Sequence, residues 1–163
     1  MVNHVVELSK AKVAEVSGAK YLTLQLEPDF LVAVQLSLVQ ETFVAIGDRL
    51  TLIPNVAPCL IGLIEHRSSI FWTLDLPQLM GLAPLDSATI DYNIVILKVR
   101  GKLLGLATRQ IGQVLQFTDE AIRSPLTENL PIKIIPFLRG ILFEADRKIY
   151  ILDAEAIALT NFS

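Results

Sequence analysis

Residues 64–82 read IEHRSSIFWTLDLPQLMGL and set a glutamate, a histidine, an arginine, two serines and an aspartate in an apolar run. His66 with Ser68 or Ser69, and Asp75 behind it, is the residue set of a hydrolytic triad. In such a triad the imidazole takes the serine proton and a buried carboxylate orients the ring. The same stretch also suits a surface that binds without chemistry. Arginine and tryptophan are enriched where protein interfaces hold most of their energy, and Arg67 precedes a strand-like run bearing Phe71 and Trp72. The elements that position these side chains decide between the two.

LIGLIEH (60–66) and SIFWTLD (69–75) read as two arms of a hairpin around Arg67-Ser68, although Ser68-Ser69 is an equally good turn. The choice matters, because a slip of one residue moves Trp72 to the other face. Asp75 is followed three residues later by Gln78, a capping-box spacing, with Pro77 tolerated in the first turn. This predicts a short helix from Leu76 to about Met80, ended by Gly81. Upstream, YLTLQL (21–26) alternates like a strand, Glu27-Pro28-Asp29 is a turn signal, FLVAVQLSLV (30–39) is a buried-strand candidate, and ETFVAI (41–46) runs toward Gly47-Asp48. Pro54 to Pro58 is a breaker. Downstream, 92–99, 102–109 and 111–117 read as strands, 118–136 as a long loop, and 137–145 with 148–153 as a last hairpin turning at Asp146-Arg147. Residues 154–159 close the chain as a helix. Residues 1–19 read as a mobile tail or short helix, with Val5, Leu8, Val13 and Val16 loosely at helical spacing.

The hairpin recurs. PCLIGLIEHRSSIFWTLD (58–75) laid on PFLRGILFEADRKIYILD (136–153) matches Pro58 with Pro136, Leu60 with Leu138, Gly62 with Gly140, Leu74 with Leu152 and Asp75 with Asp153. Trp72 meets Tyr150, and LVAV (31–34) and LLGL (103–106) hold similar places. The chain is therefore read as two copies of one all-β unit, about 20–85 and 86–160. Short strands with frequent turns favour small barrels.

The repeat weighs against catalysis. Asp75 has a twin at Asp153 at the same corner, which fits an N-cap better than a catalytic orienter. Ser68 sits at a turn and points outward. There is no Gly-x-Ser-x-Gly elbow and no evident oxyanion hole. A hydrolase using His66 remains the minor alternative. Two histidines, His4 and His66, and one cysteine do not make a zinc site, which needs three or four clustered ligands. No glycine-rich phosphate loop or Walker lysine is present. No catalytic, cofactor or metal residue is assigned. Cys59 reads as a buried thiol, and a lone cysteine suits the cytosol.

Hydrophobic residues make up 52% of the chain and charged residues 19%. The longest uncharged run, Leu50 to Ile64, holds two prolines and falls short of the ~20 residues of a spanning helix. No secretory signal pattern opens the sequence. The apolar excess is expected to fill a core and to leave apolar faces for other proteins. With a net charge of −3 and no basic stripe, nucleic acid is not an expected partner.

Val39-Gln40-Glu41, the segment Pro54 to Pro58, Gly62, Arg67 and Asp75-Leu76, followed by GKLLGLATRQIGQVLQF (101–117) and LRGILFEADRKIYILD (138–153), resemble the CheW-like coupling proteins of bacterial chemotaxis and phototaxis. The resemblance covers roughly residues 20–160. It implies two five-stranded SH3-like barrels packed together, with short helices and no enzyme activity. It also implies an adaptor joining the regulatory domain of a CheA-type histidine kinase to the cytoplasmic tip of a methyl-accepting receptor, in the cytoplasm at receptor arrays. By position, Val39, Glu41, Gly62, Arg67, Ile111 and Val114 match the family's partner-contact positions. The alternative within the family is a domain that sequesters partners or self-associates. Where the family has Asn-x-Arg-Gly, this chain has Glu65-His66-Arg67-Ser68. This tip is similar to cyanobacterial relatives of phototaxis and pilus motility.

Overall fold

Alternating apolar residues fold Ala19–Glu27 (β1) and Phe30–Gln35 (β2) into an antiparallel hairpin across Pro28-Asp29. The structure is a computed structural model and describes residues 17–46, 49–85, 91–124 and 129–162. Most of the expected tail, residues 1–16, and the expected turn at Gly47-Asp48 lie outside the described residues. The apolar run 30–39 is not one strand. A 3-10 turn at Leu36–Leu38 interrupts it and leads into Val39–Ile46 (β3). Leu50–Thr51 (β4), Leu60–His66 (β5) and Ser69–Asp75 (β6) come next, then the short helix Leu76–Leu79 (α1). The second half gives Asp91–Val99 (β7), Lys102–Thr108 (β8), Gln110–Phe117 (β9), Leu138–Glu144 (β10), Arg147–Leu152 (β11) and Ala154–Leu159 (α2). The stretch 118–136 holds 3-10 turns at Asp119–Ala121 and from Ile132.

The strands form two sheets, ordered β10-β11-β2-β1-β9 and β3-β7-β8-β6-β5-β4, in the architecture of two SH3-like barrels. The second sheet has six strands because β4 adds a two-residue edge. Its counterpart in the first sheet is the single bridge Arg123↔Ile141.

The sheets do not follow the sequence halves. Each half donates its first hairpin to the other half's sheet: β1-β2 joins β9 to β11, and β7-β8 joins β3 to β6. The contacts that seal this exchange are parallel pairs, β11 with β2 and β6 with β8. The three-residue turn after β2 carries the chain across to the other sheet instead of folding it back. A boundary near residue 85 therefore marks the sequence repeat and not the barrels.

This exchange shapes the core. Along β7, Ile94 and Ile96 enter a cluster with Ala45, Ile64, Phe71 and Ala107 inside one barrel. Val95, Leu97 and Val99 point the other way, into a larger cluster with Leu24, Leu26, Val32, Leu74 and Leu106 that joins the two barrels. A strand buried on both faces needs apolar residues at every position, which accounts for the near-continuous IVIL. A third cluster, with Tyr21, Ala33, Leu142, Ile149 and Ile151, fills the other barrel. Val44, Leu52, Ile70 and Ile132 are among the large apolar side chains left exposed.

The twin residues do the same work in each half. Asp75 accepts the N–H of Gln78 at 3.0 Å and Asp153 that of Ala156 at 2.9 Å, so both are helix caps. Leu60 to Gly62 and Leu138 to Gly140 are matching irregularities in the ladders. A Cβ on Gly62 would lie 2.3 Å from the Thr51 carbonyl oxygen, and one on Gly140 would lie 2.4 Å from that of Arg123. Glycine is required at both by the close approach of a neighbouring chain. The last hairpin turns at Ala145-Asp146, one residue earlier than expected. Arg147 pairs with Glu144 in the ladder, and Ala145 takes the left-handed conformation with φ of 52°.

Candidate protein-binding surface

The β5-β6 hairpin turns at Arg67-Ser68, with His66 opposite Ser69. Both turn residues have positive φ, 50° and 65°, as a two-residue type I′ turn requires. Neither is glycine or asparagine, so the turn is formed against local preference. The side chains at its base compensate. Nε2 of His66 lies 2.7 Å from Oε2 of Glu41 on β3, and the ring stacks on Phe43, centroids 3.9 Å apart and planes 14° from parallel. Nε of Arg67 lies 3.0 Å from Oε1 of the same glutamate.

Glu41 and Phe43 fall on one face of β3 by the two-residue period of a strand. That face meets the hairpin tip where the barrel closes. The Glu41 carboxyl is held below its ordinary range, chiefly by its hydrogen bond to His66 and secondarily by the Arg67 guanidinium; partial desolvation opposes this. The His66 side chain is only 16% exposed and that of Arg67 is 77% exposed. The cluster thus has a covered hinge, His66, and a presented cation, Arg67. Arg49 and Glu65 border an open recess beside it.

The other expected contact residues lie elsewhere. Val39 pairs with Leu97 and Ile111 with Leu24, and each packs partly buried against the central cluster. Leu97 stands opposite Leu104 on β8, and Leu24 opposite Val32 on β2. Since Leu104 and Val32 are repeat partners, Val39 and Ile111 occupy one position in the two halves. Val114, opposite Leu22, is 45% exposed on β9, the edge of the other sheet. Gly62 is a fold residue, required by the close approach of the Thr51 carbonyl. The structure therefore joins Glu41 and Arg67 and leaves Ile111 and Val114 on a separate edge.

A triad does not form. His66 Nε2 is engaged by Glu41. Asp75 ends the strand that Ser69 begins, and its two oxygens accept the backbone N–H groups of Gln78 and Leu85, at 3.0 and 2.8 Å. Burial pushes its carboxyl above the ordinary range, against the pull of those N–H groups. The Cys59 thiol is also pushed up by burial. Among the described residues no three His, Cys, Asp or Glu side chains gather as a metal requires. Trp72 does not share the tip with Arg67. With the turn at Arg67-Ser68 it faces the central cluster, while Phe71 enters the barrel. The role of His66 and Phe43 was missed by sequence reasoning. The one signal for it was an aromatic two residues beyond Glu41, on the same strand face.

Comparison with known proteins agrees with this architecture. The family model described as CheW-like domain matches residues 20–160. A protein of Rhizobium etli named "Probable chemotaxis protein CheW" is 31% identical over 107 residues, 66% of this chain and 68% of that protein. The crystal structure of scaffolding protein TtCheW from Thermoanaerobacter tengcongensis superposes with a TM-score of 0.74 at 21% identity, covering 90% of this chain and 97% of that one.

Proposed function

The chain belongs to the CheW-like domain family, and from that membership we propose that it couples the regulatory domain of a CheA-type histidine kinase to the cytoplasmic tip of a methyl-accepting receptor. It is a scaffold of the chemotaxis type and not an enzyme. The finer reading rests on one observation above the rest: Glu41 and Arg67, which the family resemblance matches to contact positions, are bound to each other at the hairpin tip and braced by His66.

A tip held in this way docks with little ordering cost, since the rotamers of Glu41 and His66 are already fixed. Arg67 then supplies a mostly exposed cation on a rigid base, a common form of interface anchor. The kinase domain is assigned to the tip and β3, through Val39, Glu41 and Arg67. The receptor helices are assigned to the seam reached by Ile111 and Val114 on β9. Two separate surfaces on one rigid body let each partner bias the other's arrangement. No described helix is long and apolar enough to cross a membrane. We place the protein in the cytoplasm, brought to arrays by its receptor, in a taxis pathway of the chemotaxis or phototaxis kind.

Size-exclusion of the protein with a kinase regulatory domain and a receptor signalling fragment tests the reading. One ternary peak is expected. A folded protein that binds neither component, or only itself, overturns it and leaves self-association as the function.

A further inference from the structure

The internal repeat acts as its own comparison at one further place. In the first barrel Phe30, the first residue of β2, stacks on Tyr150 with ring centroids 4.9 Å apart. The repeat partner of Tyr150 is Trp72. The partner of Phe30 is Lys102, because Phe30 stands opposite Glu27 across its turn as Lys102 stands opposite Val99. The parallel pairs Tyr150↔Val32 and Trp72↔Leu104 fix the same alignment. Along the helices, Met80, which is buried, corresponds to Ala158. The second copy therefore lacks an aromatic ring and has a smaller residue where the first copy has methionine. What remains is a cleft of about 190 Å³ lined by Trp72, Leu60, Leu104, Ala158, Phe162 and Lys102.

We propose that this cleft is a docking site for an aromatic side chain of a partner, carried on an acidic segment. The size fits, since an apolar cavity of ~150 Å³ admits a benzene ring. The geometry fits, because the first barrel already seats Phe30 on Tyr150 at the corresponding position. The charge fits as well. Lys102 is exposed at the cleft and, among the described residues, forms no ion pair. A carboxylate beside the entering ring would meet its ammonium group. The site is distinct from the Glu41–Arg67 tip and does not depend on which partner binds there.

Trp72 is the chain's one tryptophan, so its fluorescence reads the cleft directly. The probes are blocked tripeptides Glu-Phe-Glu, Glu-Ala-Glu and Lys-Phe-Lys, titrated into the full chain. Glu-Phe-Glu is expected to change Trp72 emission saturably and Glu-Ala-Glu to leave it unchanged. Lys-Phe-Lys is expected to bind about threefold or more weakly, the scale of an exposed charge pair. Lys102→Glu should reverse the preference between the two phenylalanine peptides, and this exposed change leaves the core intact. Ala158→Met and Lys102→Phe install the first copy's residues and should abolish the response. No response of the native chain to Glu-Phe-Glu, an equal response to Glu-Ala-Glu, or an unchanged preference in Lys102→Glu overturns the proposal.

Discussion

The imidazole of His66 bonds the carboxylate of Glu41 at 2.7 Å and so ties a hairpin tip to an edge strand that lies 25 residues earlier in the chain. It also covers the ring of Phe43. One side chain thus fixes both the carboxylate that restrains Arg67 and the turn that carries it. His66→Ala is expected to cost about 1 kcal/mol of stability, from the lost ring stacking and hydrogen bond. It should weaken kinase-domain binding further by freeing Arg67. His66→Gln, which can still donate to Glu41, should recover part of the binding. Urea unfolding with parallel titrations separates the two effects.

Ser68 holds φ of 65° with no side-chain reason to do so. Ser68→Gly removes the Cβ crowding of that conformation. It should raise stability by up to about 1 kcal/mol, seen as a higher urea midpoint with an unchanged slope. Loss of stability would mean that the turn is not of this type.

Gly62 and Gly140 should respond alike to alanine. A Cβ at either meets a backbone carbonyl oxygen, at 2.3 Å and 2.4 Å respectively, and at Gly140 it also meets Cγ2 of Ile122 at 2.4 Å. Each variant is expected to lose about 2 kcal/mol or more, in the range of overpacked cores. Thermal melts of the two, compared with Gly101→Ala, where nothing lies within 4 Å and only the left-handed φ of 79° opposes a Cβ, provide the check.

Asp75 and Asp153 should part company on conversion to asparagine. Asp153 caps α2 through Oδ1, which an amide oxygen replaces. Asp75 uses both oxygens, on Gln78 and on Leu85, and an amide can serve only one of them. Asp75→Asn is expected to cost about 1 kcal/mol more than Asp153→Asn at neutral pH. The pH dependence has opposite signs at Asp75 and Glu41. The Asp75 pKa is raised on folding, so its share of stability is fully present below the unfolded value near ~3.9 and falls as pH rises through the folded one. The Glu41 pKa is lowered, so its share is present above the unfolded value near ~4.3 and is lost as pH falls through the folded one. Stability curves of Asp75→Asn and Glu41→Gln against native protein, from about pH 3 to 7, should diverge in these opposite senses.

Local pattern made much of the fold readable. β5 and β6 are where alternation and flanking breakers place them, and Asp75 and Asp153 announced their helices through cap chemistry. Ala145 hid the last turn, because alanine carries no turn signal although here it takes a left-handed conformation. The hairpin exchange was not legible. It depends on parallel pairs such as Ile149 with Leu31, which no local pattern encodes. Glu41, His66 and Arg67 were each visible, Glu41 and Arg67 through the family pattern. Their union was not, because it needs β3 to close against the β5-β6 tip. The equal standing of Val39 and Ile111 likewise appears only once both ladders are known.

The most direct test is a calorimetric titration of the folded chain with the regulatory domain of a CheA-type kinase, repeated with Arg67→Ala and with Glu41→Ala. Saturable binding by the native chain is predicted, weakened about tenfold or more in each variant, as expected for anchors at an interface centre. Absence of binding by the folded native chain, or equal affinity in all three, would contradict a coupling surface built on Glu41 and Arg67.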